Sequence, residues 1–312
     1  MLPSSLVTVG TMNFGARTPR PEARRIVDRA IERGATFFDT ANVYGDGESE
    51  RILGEAIRGR RDQISIATKV GFFRRGGKPE GLSAEVVRTA LGESLQRLGT
   101  DYVDVYYLHV PDHGTPLAQT LDGLQPLLES GAVKAWGVSN FASWQIGEFN
   151  ALSDARGMAR PAISQVLYNL LIRQLDVEYF AFTRRHPLHT TVFNPLAGGL
   201  LARPAAPGAA VPSGSRFEKN KLYRGRYWND ALLELGGRYQ QLAAEAGLSG
   251  VELSYAWLAS RPGVDSLLAG PGSVQQLDAA LDAVSKKLPP ELLAKVDAVH
   301  RDFVGTDASY AR

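Results

Sequence analysis

The segment FFDTANVYG, Phe37 to Gly45, organises the chain. Its apolar lead-in reads as a buried strand ending at Asp39. A charge there needs a partner or a task, because an unpaired buried carboxylate is costly. A phenol, Tyr44, follows five positions later. Two later apolar runs behave alike: ISIATKV carries Lys69 near its end and YVDVYYLHV carries His109 near its end. Strand ends bearing Asp, Lys and His converge only if the strands are parallel and share one sheet. Such a set forms a proton-transfer site rather than a surface patch.

Working outward, 312 residues with 44% hydrophobic and 22% charged side chains, 32 glycines and 17 prolines suit a compact chain with many tight turns. The 35 basic and 33 acidic side chains leave a formal charge of +2, too balanced for a nucleic-acid surface. With no cysteine, disulfides, thiol catalysis and thiolate metal sites are excluded. No basic leader opens the chain, and no apolar run reaches the roughly 18 residues of a membrane span. The expectation is a cytoplasmic protein.

Strand patterns recur at LVTVG, TFFDT, ISIAT, DYVDVYYLH, AVKAWGVS, AISQVLY, TTVFNPL and VDSLLAG. Helical spacing falls between them: Ile26, Val27, Ala30 and Ile31, stopped by Gly34; Ile52, Leu53, Ala56 and Ile57; a long helix from about 83 to 98; Leu117, Leu121, Leu124 and Leu128. Further helices are expected near 144–152, 177–184, 229–246, 251–259 and 274–284. Residues 202–214 are rich in Ala, Pro and Gly, and KLYRGRYW follows without clear period, so a long loop is expected around 201–228. About eight strands alternating with helices, with no shift in composition, predict a single α/β domain over 1–312, a (β/α)8 TIM barrel with its polar groups gathered where strands end. A doubly wound open sheet is the alternative, but no strand-to-helix dinucleotide glycine fingerprint supports it.

Chemically, Lys69 is expected to ease proton loss from the Tyr44 phenol, Asp39 to hold Lys69, and His109 to orient a carbonyl by hydrogen bonding. Tyr44 could then give a proton to an oxygen as hydride reaches its carbon. No metal is required, and His109 with His113 makes no metal-spaced cluster.

These residues resemble the aldo-keto reductase family: DTANVYG with Asp39 and Tyr44, TKV with Lys69, YLH with His109, and then GVSNF, SQVLYN and NPLAGGL. The resemblance spans almost the whole chain. It is strongest toward the aflatoxin aldehyde and succinic semialdehyde reductase subfamily through YGDGESERILG, LHVPDHGTPLAQTL, YNLLIRQLDVE and LYRGRYW. It implies a barrel that reduces aldehydes or ketones with a nicotinamide dinucleotide, Tyr44 acting as the acid. NADPH or NADP is the preferred cofactor, with NADH or NAD left open.

By the same resemblance, Ser139, Asn140 and Gln165 hold the nicotinamide carboxamide, and Phe193 stacks where many relatives have Tyr. Leu196 and Gly198 belong to the same cofactor segment. Gly270, Gly272 and Ser273 offer a phosphate cradle at a helix start. Gln276 stands where several relatives use Arg, and Arg203, in a segment departing from a usual Gly-Lys element, is a candidate to compensate. Tyr223 and Arg226 match substrate-contact positions, Arg226 suiting a carboxylate; Met12, Phe72 and Trp228 are expected as apolar walls. The implied partner is a small-molecule carbonyl substrate, acidic or polyoxygenated aldehydes in particular. Neither nucleic acid nor membrane is expected, and homodimer formation stays open. A cofactor-bound regulatory or interaction protein with little turnover is the alternative.

Overall fold

The computed structural model describes residues 2–75 and 77–306. Its strands in chain order are β1 (Val7–Gly10), β2 (Phe37–Asp39), β3 (Ser65–Val70), the short pair β4 (Arg74–Arg75) and β5 (Lys78–Pro79), β6 (Val103–Leu108), β7 (Val133–Ser139), β8 (Ile163–Leu167), β9 (His189–Phe193) and β10 (Ser266–Ala269). All except β4 and β5 are parallel, closing in the order β1, β10, β9, β8, β7, β6, β3, β2. The expected (β/α)8 barrel is the observed fold, and the open sheet is set aside. β4 and β5 form a separate antiparallel hairpin that the sequence patterns did not reveal.

Strands buried on both faces explain the near-continuous apolar runs. One face of each strand packs outward into the main core beneath the helices, where Trp136, Phe149, Tyr106 and Trp257 are fully covered. The other face lines the barrel, where Phe37, Ala67, Val105, Tyr107 and Ile163 form a small apolar cluster. Because side chains alternate along a strand, the positions two residues beyond Phe37, Ala67 and Ile163 point inward as well. These are Asp39, Lys69 and Gln165, so the mouth of the barrel is polar by register.

Gly137 shows how tight that packing is. A Cβ there would lie 2.4 Å from the Ile163 carbonyl oxygen and 3.1 Å from the Tyr107 ring.

Surrounding helices include Arg20–Glu32, Glu48–Ala56, Ala84–Leu98, Leu117–Glu129, Ser143–Ala155, Tyr179–Arg185, Gly250–Ala259 and Val274–Ala283. Ser83 caps the third by accepting from the Val86 amide, and Gly99 ends it at φ 65. Two regions differ from expectation. The segment after β9 is not one irregular loop, since it forms short helices at Arg216–Lys219 and Lys221–Tyr227. Asn220 caps the second, and Phe217, Tyr223 and Tyr227 bury themselves beneath it; tertiary burial, not sequence period, makes these turns helical.

A C-terminal helix, Pro290–Val304, was also not anticipated. Its signal was present, with Pro at the first turn and Leu292 and Val296 one turn apart on the buried face. It packs beside helix Asp230–Glu245, joined by Arg238 and Asp302 at 2.7 Å.

Candidate active site

Asp39, Lys69 and His109 come from the C-terminal ends of β2, β3 and β6, which are neighbours in the closed sheet. Tyr44 reaches back from the loop after β2. Lys69 is fully buried and its Nζ is shared three ways: it pairs with Asp39, donates to the Thr40 carbonyl at 2.8 Å, and lies 3.4 Å from the Tyr44 hydroxyl. The second Asp39 oxygen accepts from Gln165 Nε2 at 2.8 Å. Burial pushes the Asp39 carboxyl up and the Lys69 ammonium down, and the pairing opposes both shifts. With the ammonium held by Asp39 and the Thr40 carbonyl, and the carboxylate held by Lys69 and the Gln165 amide, the pair is held charged and rigid.

Tyr44 differs from the sequence expectation. Its phenol is not eased toward phenolate. Burial, then the Asp39 charge and Tyr223, hold its pKa well above the ordinary phenol value, with Arg216 opposing. Lys69 fails to reverse this because its charge is already matched by Asp39. The hydroxyl therefore keeps its proton across the neutral range.

His109 is pushed well below its usual range by burial and by the Lys69 charge, so it stands neutral. Its ring meets Tyr44 edge-on at 6.0 Å and Phe72 at 5.3 Å, and its Nδ1 is buried without a protein partner.

Ser139 ends β7, and Asn140 follows in the left-handed conformation (φ 63) that Asn tolerates. Asn140 Nδ2 donates to the His109 carbonyl at 2.9 Å and to Ser139 Oγ at 3.0 Å, tying the ends of β6 and β7 together. Phe193 ends β9, and Leu196 and Gly198 lie in the following turn. A Cβ on Gly198 would meet the Tyr223 ring at 2.8 Å.

Across the mouth, the carbonyl of Gly270 accepts from Asn13 Nδ2 at 3.0 Å. Gly272 and Ser273 precede helix Val274–Ala283, but three of the amides at this turn are already engaged. Gln276 Oε1 takes the Gly272 amide at 2.8 Å, Ser273 Oγ takes the Gln276 amide, and Glu22 takes the Val274 amide at 2.9 Å. Glu22 in turn pairs with Arg25 at 3.0 Å. The expected phosphate cradle thus holds an ion pair at its tip, which sequence reading did not foresee.

The expected substrate residues divide. Met12 and Phe72 are exposed at the mouth. Tyr223 is buried, donating to Asn194 Oδ1 at 2.9 Å. Trp228 packs at 4.9 Å against Phe217 and donates to the Ala209 carbonyl, so its contacts lie within the cover segment. Arg226 lies 6.0 Å from the Tyr223 ring, and Arg203 is exposed on the surface.

The guanidinium that Tyr44 senses is Arg216, overlooked in the sequence because GSRF has no periodic or motif signal. Its Nη2 donates to Asn13 Oδ1 at 2.7 Å and its Nη1 lies 3.4 Å from the Tyr223 hydroxyl. Asn194, also overlooked, sits at φ 59 with Nδ2 buried and unpartnered. Glu80 is a third, gathering Asn42 Nδ2 at 2.9 Å and the amide of Gly71 at 2.7 Å beneath the Phe72 turn.

A profile of the Aldo/keto reductase family matches residues 6–301. The chain belongs to the aldo/keto reductase family. It is 34% identical over 295 residues to human aflatoxin B1 aldehyde reductase member 2, covering 89% of this chain and 81% of that one. It is 33% identical over 312 residues to a probable voltage-gated potassium channel subunit beta of Arabidopsis thaliana, covering 96% and 95%. An uncharacterized oxidoreductase of Bacillus subtilis, YrpG, is 33% identical over 309 residues, covering 95% and 92%. The family's chemistry is NAD(P)H-dependent carbonyl reduction. In this reductase the unpartnered nitrogens of His109 and Asn194 at the mouth fit a polar ligand and dinucleotide there. Among the described residues, no helix is long and apolar enough to cross a membrane, and no three-residue metal cluster occurs.

Proposed function

We propose that this reductase converts small aldehydes, acidic or polyoxygenated ones in particular, to alcohols with NADPH, and that Tyr44 is the general acid. The supporting observation is the convergence of the protonated Tyr44 phenol, the Lys69–Asp39 pair and a neutral His109 whose Nδ1 has no protein partner. Ser139, Asn140 and Gln165 would hold the nicotinamide amide, Phe193 would stack on the ring, and Leu196, Gly198, Gly270, Gly272, Ser273 and Gln276 would line the remainder.

The dinucleotide supplies hydride to the carbonyl carbon when bound. The chain's own residues handle the proton. His109 offers a neutral N–H to orient the carbonyl oxygen. Tyr44 transfers its proton to that oxygen, and the phenolate left behind faces the Lys69 ammonium, which offsets the new charge.

NADPH rather than NADH is favoured by resemblance, while the Glu22–Arg25 pair leaves the helix tip near neutral. Paired turnover with both cofactors across a panel of acidic and neutral carbonyls tests the proposal. Selective turnover upholds it. Tight dinucleotide binding with negligible turnover would favour a regulatory protein, the reading suggested by the name of the Arabidopsis thaliana relative.

A further inference from the structure

Phe72 stands on the turn after β3, 46% exposed, with its ring 5.3 Å from that of His109. His109 Nδ1 has no protein partner, so the imidazole is oriented by what packs on it: Tyr44 edge-on at 6.0 Å and Phe72 at a tilt of 53°. An exposed ring can serve in that way only if its backbone is held.

Gly71 does not hold it. At φ 109 a glycine permits the turn, and a Cβ there would lie 2.7 Å from Leu82 Cδ2, but the missing side chain also leaves the backbone freer than at any other residue type. The restraint comes from Glu80. Its Oε1 accepts from the Gly71 amide at 2.7 Å and from the Phe73 amide at 3.3 Å, so the N–H groups on either side of Phe72 converge on one carboxylate oxygen. The carboxylate is anchored in turn by Asn42, whose Nδ2 lies 2.9 Å and 3.2 Å from its two oxygens. Asn42 is buried and its own amide donates to the Lys69 carbonyl at 3.3 Å, so the anchor is built on the strand end that carries Lys69. Glu80 thus joins the loop after β2 to the turn after β3 through charge-assisted hydrogen bonds, roughly twice as strong as neutral ones. The far end of the loop is held separately, the Leu82 amide by Asp112 at 2.8 Å and the Leu82 carbonyl by Thr120 Oγ1 at 2.9 Å.

We propose that Glu80 is a positioning residue, which clamps the Gly71, Phe72 and Phe73 turn to Asn42 and so seats the Phe72 ring against His109. The proposal rests on the reading of His109 as the group that orients the substrate carbonyl. Without the carboxylate the two amides turn to solvent, Phe72 leaves His109 for part of the time, and the imidazole samples other orientations.

The seating can be read without turnover. A phenyl ring this close displaces the His109 ring resonances by its ring current, and those signals are identified among the five histidines by their loss in His109→Gln. Phe72→Ala gives the shift of the unseated imidazole. Glu80→Ala should move the His109 signals most of the way to that value, whereas Glu80→Gln, which keeps an oxygen for the two amides, should stay nearer wild type. Leu82 remains docked on Asp112 and Thr120 in both variants. A wild-type shift in Glu80→Ala, or equal displacement in Glu80→Ala and Glu80→Gln, overturns the proposal.

Turnover gives the second test. Glu80→Ala and Phe72→Ala should each lower kcat/KM for a small aldehyde about 3- to 10-fold, the scale of one misdirected hydrogen bond to the carbonyl, with dinucleotide affinity unchanged. The double variant should be no worse than Phe72→Ala, because Glu80 acts through that ring. Losses that multiply overturn the clamp. If the resonances move while every variant keeps wild-type turnover, the clamp stands and the reading of His109 as the orienting group fails.

Discussion

Replacing Lys69 with Met removes a fully buried ammonium that satisfies Asp39, the Thr40 carbonyl and the Tyr44 hydroxyl at once. Asp39 would retain Gln165 as its hydrogen-bond donor, and a carboxylate stripped of its buried counter-ion typically costs about 3–5 kcal/mol. The loss should depend on pH. Without Lys69 the folded-state pKa of Asp39 rises further above its unfolded value, because burial already pushes it up and the opposing charge is gone. A folded pKa above the unfolded one stabilises below the unfolded value, and that contribution is lost as pH rises through the folded value. The deficit of Lys69→Met relative to wild type should therefore be larger at pH 8 than at pH 5 in urea unfolding. Adding Asp39→Asn should recover part of the pH 8 deficit, since the double variant carries no unpaired buried charge. An equal deficit at both pH values, with no recovery in the double variant, would refute the description of Asp39 and Lys69 as a mutually dependent ion pair.

Tyr44→Phe should lower turnover by roughly 10²-fold or more with dinucleotide affinity little changed, measured by steady-state kinetics and fluorescence titration. Because the Tyr44 pKa is raised, reduction needs no base-side decline near neutrality, and a loss of rate below the ordinary phenol pKa of about 10 assigned to Tyr44 would contradict its placement. If Arg226 receives a substrate carboxylate, Arg226→Ala should reduce kcat/KM for an acidic aldehyde about 10-fold more than for a neutral one; if the selective loss appears in Arg216→Ala instead, the guanidinium that Tyr44 senses is the receiver. His300 is pushed down to about 4, chiefly by burial and then by Arg173. Its unfolded form binds the proton first, so stability is lost as pH falls from about 6.5 to about 4, and His300→Gln should flatten that slope by about 1–2 kcal/mol, allowing for screening at a partly exposed ring.

The sequence by itself determined the eight strands, the alternation that makes the sheet parallel, and the Asp39, Tyr44, Lys69 and His109 set. These are local or periodic properties: an apolar run, a helix face, and a polar side chain at the run's end. The Pro290–Val304 helix carried the same kind of signal and was overlooked. Tertiary structure alone decided the partnerships. Arg216 comes under the mouth because Phe217, Tyr223 and Tyr227 bury themselves in a segment with no period of its own. Glu22 reaches the Val274 amide from a residue 252 positions away, which no spacing rule could show. Most telling is Tyr44, whose residue type and spacing suggested a phenol eased toward ionisation by lysine. The folded chain pairs that lysine with Asp39 and leaves the phenol half-buried at the barrel mouth, where desolvation and then the Asp39 charge raise its pKa. Burial and charge pairing are sums over neighbours from distant parts of the chain, and only closure of the barrel brings those neighbours together.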